Sequence, residues 1–157
     1  MKVIFPGSFD PVTKGHLNVI YRAANLFDTV VVGVLINQVK PALFTPQEKI
    51  EMIEELMYDY DNVVVKVFSG LLVDFVREEK ADAIVRGIRN AEDFLYERQL
   101  SLLNHSLYPE MEEIFLFTDK NYSYVSSSFA REVASYGGDV SGMVTDNVAK
   151  RLREKFQ

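Results

Sequence analysis

Apolar residues fall along this chain in two alternating rhythms. Of five short apolar runs, at residues 3–5, 30–36, 63–67, 83–85 and 114–117, most are rich in Val, Ile or Phe and do not alternate with polar positions. Strands covered on both faces read this way. Between the runs, apolar positions recur at helical spacing: Leu17, Ile20, Tyr21, Ala24 and Phe27, then Ile50, Ile53, Leu56, Met57 and Tyr60. Thr45-Pro46-Gln47-Glu48, ahead of the second set, has the form of a capping box with proline at the first helical position. Further helices are predicted over 71–79 and 93–107. A last one starts near Thr145 and carries Val148, Leu152 and Phe156, with Arg151, Arg153 and Lys155 suited to the negative end of its dipole. Strand and helix in alternation predict an α/β fold, a Rossmann-like, doubly wound five-stranded parallel sheet with helices on both faces. With 157 residues and no linker, repeat or low-complexity stretch, a single domain over 1–157 is expected. Ligands of such sheets sit outside the carboxyl ends of the strands, where strand order reverses, so the loops after the strands are where chemistry is sought.

Three of those loops carry it. The first run is followed by Pro6-Gly7-Ser8-Phe9-Asp10-Pro11-Val12-Thr13-Lys14-Gly15-His16 and a helix start. Gly7 and Gly15 permit close backbone approach to a ligand. The helix start offers unpaired N–H groups and a positive dipole end. Ser8 and Thr13 add hydroxyls, and His16 lies within reach of the same anion. Asp10 is expected to cap or brace the turn before Pro11 rather than to bind metal. The second loop, Arg86-Gly87-Ile88-Arg89-Asn90, presents two planar cations to phosphate oxygens. The third, Tyr122-Ser123-Tyr124-Val125-Ser126-Ser127-Ser128, ends in three serines at another helix start. His105, the other histidine, has no partner motif and is given no role.

Composition narrows the choice. With 17 basic and 23 acidic residues the net charge is −6, so the global basic footprint of a nucleic-acid binder is missing, though a small anion needs only a few local cations. Without cysteine there is no disulfide, thiolate zinc site or thiol nucleophile. The longest apolar run, of about seven residues, is far short of the roughly 20 a membrane helix needs. The first residues run straight into a strand pattern without the apolar segment of a signal peptide. A soluble, cytoplasmic protein without membrane or nucleic-acid partners is expected.

G-x-F-D-P followed by T-x-G-H resembles the signature of the nucleotidylyltransferase superfamily. With R-G-I-R, then Tyr96-Glu97, then S-S-S-F-A-R-E-V, the resemblance is to the phosphopantetheine adenylyltransferases over essentially the full length. That resemblance implies transfer of an adenylyl group from ATP to 4′-phosphopantetheine, giving dephospho-coenzyme A and pyrophosphate, with Mg²⁺ accompanying ATP and a homohexameric assembly. It implies that Ser8 and Phe9 contact ATP, Ser8 also the acceptor, and that His16 contacts the ATP phosphates and stabilises the transition state. It places the acceptor phosphate on Lys40, the pantetheine arm on Leu72, and Arg86 against the same substrate. ATP would be held by Gly87, Ile88, Arg89, Glu97 and residues 122–128: Tyr122, Ser123, Tyr124, Val125, Ser126, Ser127 and Ser128. Catalysis would rest on His16, Lys40 and Arg89, with no protein metal ligand. The chain departs from the family in having one lysine, Lys40, before Phe44-Thr45, where two are frequent. It also has Ser8 where threonine is frequent and Val125 where isoleucine is. Sister enzymes acting on nicotinamide mononucleotide or using CTP share parts of these loops. A non-catalytic nucleotide-binding domain on the same fold is the rival of a different class.

Overall fold

A computed structural model describes residues 1–157. Five strands, β1 (Lys2–Gly7), β2 (Thr29–Leu35), β3 (Val63–Phe68), β4 (Ala83–Ile88) and β5 (Glu112–Phe117), form one parallel sheet in the order β3-β2-β1-β4-β5. Helices α1 (Lys14–Leu26), α2 (Pro46–Leu56), α3 (Leu72–Glu79) and α4 (Ala91–Leu107) connect successive strands, and α5 (Ser127–Ser135) and α6 (Asp146–Phe156) follow β5. No helix is long and apolar enough to cross a membrane.

Side chains of a strand alternate between faces, and here both faces are apolar for that reason. Val3 and Phe5 of β1, with Val30, Val32 and Val34 of β2, join Leu17, Ile20 and Ala23 of α1, Met52 and Ile53 of α2 and Leu152 of α6 in a cluster of 25 buried residues. The intervening Ile4, Val31 and Ile84 face the other way, onto Val73, Phe75 and Val76 of α3, in a cluster of only 8. The second face is thinly covered. α4 lies on the β4 side of the sheet, yet none of its 17 residues is buried, and Leu95, Tyr96, Leu102 and Leu103 are all more than half exposed.

The sheet parts at its centre. β1 pairs with β2 over six residues and β4 with β5 over six, but β1 and β4 pair only at Val3–Ala83 and Ile4–Ile84. The carbonyl of Lys2 accepts from the Asp82 amide, so the even-numbered residues of β1 turn their peptide groups toward β4. The next even residue after Ile4 is Pro6, which has no N–H to give. β1 therefore stays bonded to β2 while a crevice opens toward β4 at the carboxyl end, at the point where strand order reverses.

The predicted strands are all present, with one correction. Arg86, Gly87 and Ile88 are not a loop: β4 continues through them, in register with Phe115, Leu116 and Phe117 of β5. Arginine and glycine interrupt the apolar run without interrupting the ladder. A Cβ on Gly87 would stand 2.9 Å from Val19 of α1, so the glycine lets the helix close onto the strand.

The capping box at Thr45 is formed as its spacing predicts. The Thr45 hydroxyl accepts from the Glu48 amide at 3.2 Å and the Glu48 carboxylate from the Thr45 amide at 2.7 Å. Thr45→Ala is expected to cost about 1 kcal/mol, lowering Tm by about 2–4 °C in a chain of this size; thermal melting of the two proteins checks it.

Candidate active site

A second capping box builds the centre of the crevice. Thr13 caps α1: its hydroxyl accepts from the His16 amide at 3.3 Å, and the Thr13 amide donates to Nδ1 of the His16 ring at 3.0 Å. The position usually held by Glu or Gln is held by an imidazole. An amide can only donate, so Nδ1 is the acceptor nitrogen and a neutral ring carries its proton on Nε2. The ring lies edge-on to Phe9 at 5.0 Å and to Phe5 at 6.4 Å between centroids. Burial, with the Arg89 cation second, pushes its pKa down from 6.5 to about 4, so at neutral pH it presents a neutral N–H donor to the cavity it lines.

That cavity, about 240 Å³, occupies the gap between β1 and β4 and is walled by Pro6, His16, Arg86, Gly87, Arg89 and Glu97, with Val125, Ser126 and Ser127 from the start of α5. Arg89 is clamped: Nε and Nη2 donate to the Asp93 carboxylate at 2.8 and 3.0 Å, and Nη1 to the Val125 carbonyl at 2.8 Å. Hydrogen bonding to Asp93 raises its pKa further, against the opposing effect of burial. Arg86 is held differently. Its Nε stands 3.3 Å from Oε2 of Glu97, a charge contact without hydrogen-bond alignment, and both atoms are buried without a partner. The Glu97 pKa is raised, by burial first, against the lowering effect of Arg86 and with Glu113 and Asp93 adding to the rise. Arg86 thus lies close to a poorly seated carboxylate and is open to a better acceptor.

A second cavity of about 320 Å³ adjoins the first, with Ser127 lining both. Its walls include Ser8, Asp10, Asn37, Lys40, Lys49, Ser128 and Arg131. At the start of α5, Ser126 accepts from the Phe129 amide at 3.0 Å and Ser127 donates to the Pro11 carbonyl at 2.7 Å. Those hydroxyls hold the architecture, and the amides of Ser127 and Ser128, in the first turn of α5, are what remains for an anion. The two cavities together fall in the range of small-molecule sites.

The residues singled out from the sequence separate into two groups. His16, Arg86, Gly87, Arg89, Glu97, Val125, Ser126 and Ser127 meet at the first cavity, and Ser8, Lys40, Ser127 and Ser128 at the second. Phe9 is 1% exposed, and its ring fills the space a Cβ on Gly7 would take, 3.1 Å away. The expected freedom at Gly7 therefore admits a side chain of the protein itself. Ile88 is buried, and Leu72 packs against the smaller core cluster, so neither lines a cavity. Tyr122, Ser123 and Tyr124 lie beside the site, in and after a 3-10 turn over Lys120–Tyr122, and line neither cavity. Sequence reading missed Asp93, although its four-residue spacing from Arg89 signals a pair, and it missed Lys49, a charged residue that is 5% exposed and gave no sign of burial. Asp10 braces as expected, but what it braces is the backbone of Leu43 and Phe44, at 2.9 Å each.

A family model described as cytidylyltransferase-like matches residues 4–133. The chain is 49% identical over 153 residues to the phosphopantetheine adenylyltransferase of Clostridium perfringens strain 13, covering 98% of this chain and 93% of that protein. It is 50% identical over 154 residues to the protein of the same name from Caldanaerobacter subterraneus subsp. tengcongensis, covering 98% and 96%. Among solved structures, a putative nicotinate-nucleotide adenylyltransferase from Vibrio parahaemolyticus superposes with a TM-score of 0.71 at 18% identity, over 99% of this chain and 93% of that one, which shows a shared fold. With the crevice, its capped histidine and its paired arginines in place, these likenesses identify the chain as a nucleotidyltransferase belonging to the phosphopantetheine adenylyltransferase family.

Proposed function

We propose that this protein carries out the reaction of its family through the two adjoining cavities: an adenylyl group passes from ATP, held along His16, Arg89 and the start of α5, to 4′-phosphopantetheine, held by Lys40 and Arg86, giving dephospho-coenzyme A and pyrophosphate. The observation that carries the residue roles is the capped His16 beside a wall shared by two cation-lined cavities. A phosphate oxygen of the acceptor forms the new bond to the α-phosphorus as the bond to the bridging oxygen breaks, and pyrophosphate leaves with the electron pair. The attacking oxygen is already anionic, so no strong base and no protein nucleophile is required. The requirement is to bring two anions together and to stabilise charge on the departing pyrophosphate. The Nε2–H of His16 donates to a phosphate oxygen as that charge develops, Arg86 and Lys40 screen the acceptor phosphate, and the amides of α5 hold phosphate oxygens of ATP.

Magnesium arrives with ATP in this reading. Two of the carboxylates around the cavities are already engaged, Asp93 by Arg89 and Asp10 by two amides, and Glu97 lies beside the Arg86 cation. The ion would be held mainly by phosphate and water oxygens, which suits Mg²⁺, and would supply charge neutralisation of the phosphates. The exposed apolar surface of α4 supports an assembly in which other copies of the chain cover it; the family resemblance makes that assembly a homohexamer, and the cytoplasm is the proposed place of work.

Pyrophosphate release with ATP, Mg²⁺ and 4′-phosphopantetheine, against wells with nicotinamide mononucleotide as acceptor or CTP as donor, tests the reaction. Release is expected only with ATP and phosphopantetheine together, and His16→Ala is expected to lower kcat by about 100-fold or more while ATP still binds. Release with another acceptor or nucleotide would overturn the substrates and leave the fold family standing.

The lowered pKa of the half-buried His16 ring sets a pH dependence. An unfolded chain takes up a proton on His16 near 6.5, the folded protein only near 4. Between those values the unfolded state binds more protons, so stability contributed by the neutral ring is complete above the window and is lost as pH falls through it. The fall in Tm from about pH 7 to about pH 5 is expected to be smaller in His16→Gln, and equal falls would refute a ring held neutral by its site. For the assembly, sedimentation is expected to give six copies of the 18.0 kDa chain, and Leu102→Asp, at an exposed apolar position of α4, is expected to yield smaller species.

A further inference from the structure

The chain segment that carries Lys40 is almost unsupported by packing. Residues 37–42 are all exposed, and Val39 is 93% so. The segment leaves the sheet at Ile36, whose amide donates to the Phe68 carbonyl at 2.9 Å. Within it, the Asn37 side-chain oxygen accepts from the Val39 and Lys40 amides at 2.9 and 3.3 Å, closing a local turn. It re-enters the fold at Leu43 and Phe44, and there both amides donate to a single side chain: Leu43 to one carboxylate oxygen of Asp10, Phe44 to the other, each at 2.9 Å.

Asp10 is 7% exposed and is itself immobilised. Arg131 of α5 donates to its backbone carbonyl, Ser127 donates to the carbonyl of Pro11 beside it, and Ser8 lies two residues away in the wall of the same cavity as Lys40. The cations near its carboxylate, Lys49 and Arg131, both stand at 3.7 Å, beyond hydrogen-bond reach. The well-aligned bonds of this carboxylate are thus to the returning loop, and the cations only compensate its charge. A charged acceptor of two amides forms bonds about twice as strong as a neutral one.

We propose that Asp10 is a positioning residue for Lys40: it ties the exposed lysine loop to the Ser8 segment, so that the ammonium is set over the cavity that receives the acceptor's phosphate. This rests on the assignment of Lys40 to the acceptor given above. The action is indirect, through the backbone at 43–44, and it bears on one substrate, since the His16 cavity is built from other contacts.

A double-mutant cycle tests it, with kcat and both KM values measured by pyrophosphate release for the parent, Asp10→Asn, Lys40→Ala and the double variant, and with melting curves for each. Asp10→Asn is expected to raise KM for 4′-phosphopantetheine about tenfold or more, a misplacement-sized effect, and to leave KM for ATP within about twofold. In the Lys40→Ala background the same change is expected to add less than about twofold, because the group it positions is gone. A merely structural role lowers the folded fraction, and hence the apparent kcat, without moving one KM selectively. Should Asp10→Asn fold too poorly, Asp10→Asn with Lys49→Met removes the buried ammonium together with its carboxylate, and the cycle is run on that pair against Lys49→Met. Full multiplication of the two effects, or equal shifts in both KM values, would overturn the positioning role and leave Lys40 as the acceptor's ligand. An unchanged acceptor KM in Lys40→Ala alone would overturn the Lys40 assignment and the positioning role with it.

Discussion

The site depends on a hydrogen bond that a proline cannot make. Pro6 sits where the central strand would otherwise offer its next donor to β4, and β1 and β4 share only two paired positions before they part. A sheet that zipped to its end would bring the two strands to within about 5 Å and leave no room for a ligand. Because β1 remains paired to β2 through Gly7, the gap opens without fraying the core. Everything that reads as chemistry is then arranged around that gap: His16 at the head of the helix leaving β1, Arg86 and Arg89 along and beyond β4, and the start of α5 across the mouth.

Charge in the gap is tempered. Arg89 is clamped by Asp93 and by a carbonyl, and Arg86 lies close to Glu97 without a well-aligned bond to it. The neutral state of His16 belongs to the same arrangement, since burial and a neighbouring guanidinium both disfavour a further cation. A site of this kind receives polyanions without being a concentrated patch of unbalanced charge in their absence, and the chain as a whole can remain acidic.

Much of this was legible in the residues. Apolar runs gave away the five strands, though only the inner ones, β1, β2 and β4, are well covered on both faces and the edge strands β3 and β5 are not, and Thr45-Pro46-Gln47-Glu48 marked a helix start to the residue. The glycine-rich first loop and the serine-rich loop declared themselves by their position after strands. What the chain concealed had physical causes. Arg86 and Gly87 looked like the end of β4 because a charge and a glycine are rare within a buried strand, yet β5 continues to pair with them. Gly7 looked like room for a ligand, and the room goes to Phe9, which lies two positions on with a positive φ of 45° that no pattern foretells. Lys49 could not be recognised as buried, because its neutraliser Asp10 is 39 positions earlier. Periodicity reports what a helix or strand buries. It is silent about which distant charge makes a burial tolerable.

The histidine in the first capping box also bears on how such chains diverge. Helix α1 asks only that the residue three places after Thr13 accept a hydrogen bond from the cap's amide, and glutamate or glutamine does that as well as an imidazole. The cap alone therefore leaves this position open to three residue types, while the packing of the ring against Phe9 and Phe5 and its proposed role as a neutral N–H donor both favour histidine. A chain released from that role could keep its helix, its sheet and its gap with glutamate or glutamine at this position.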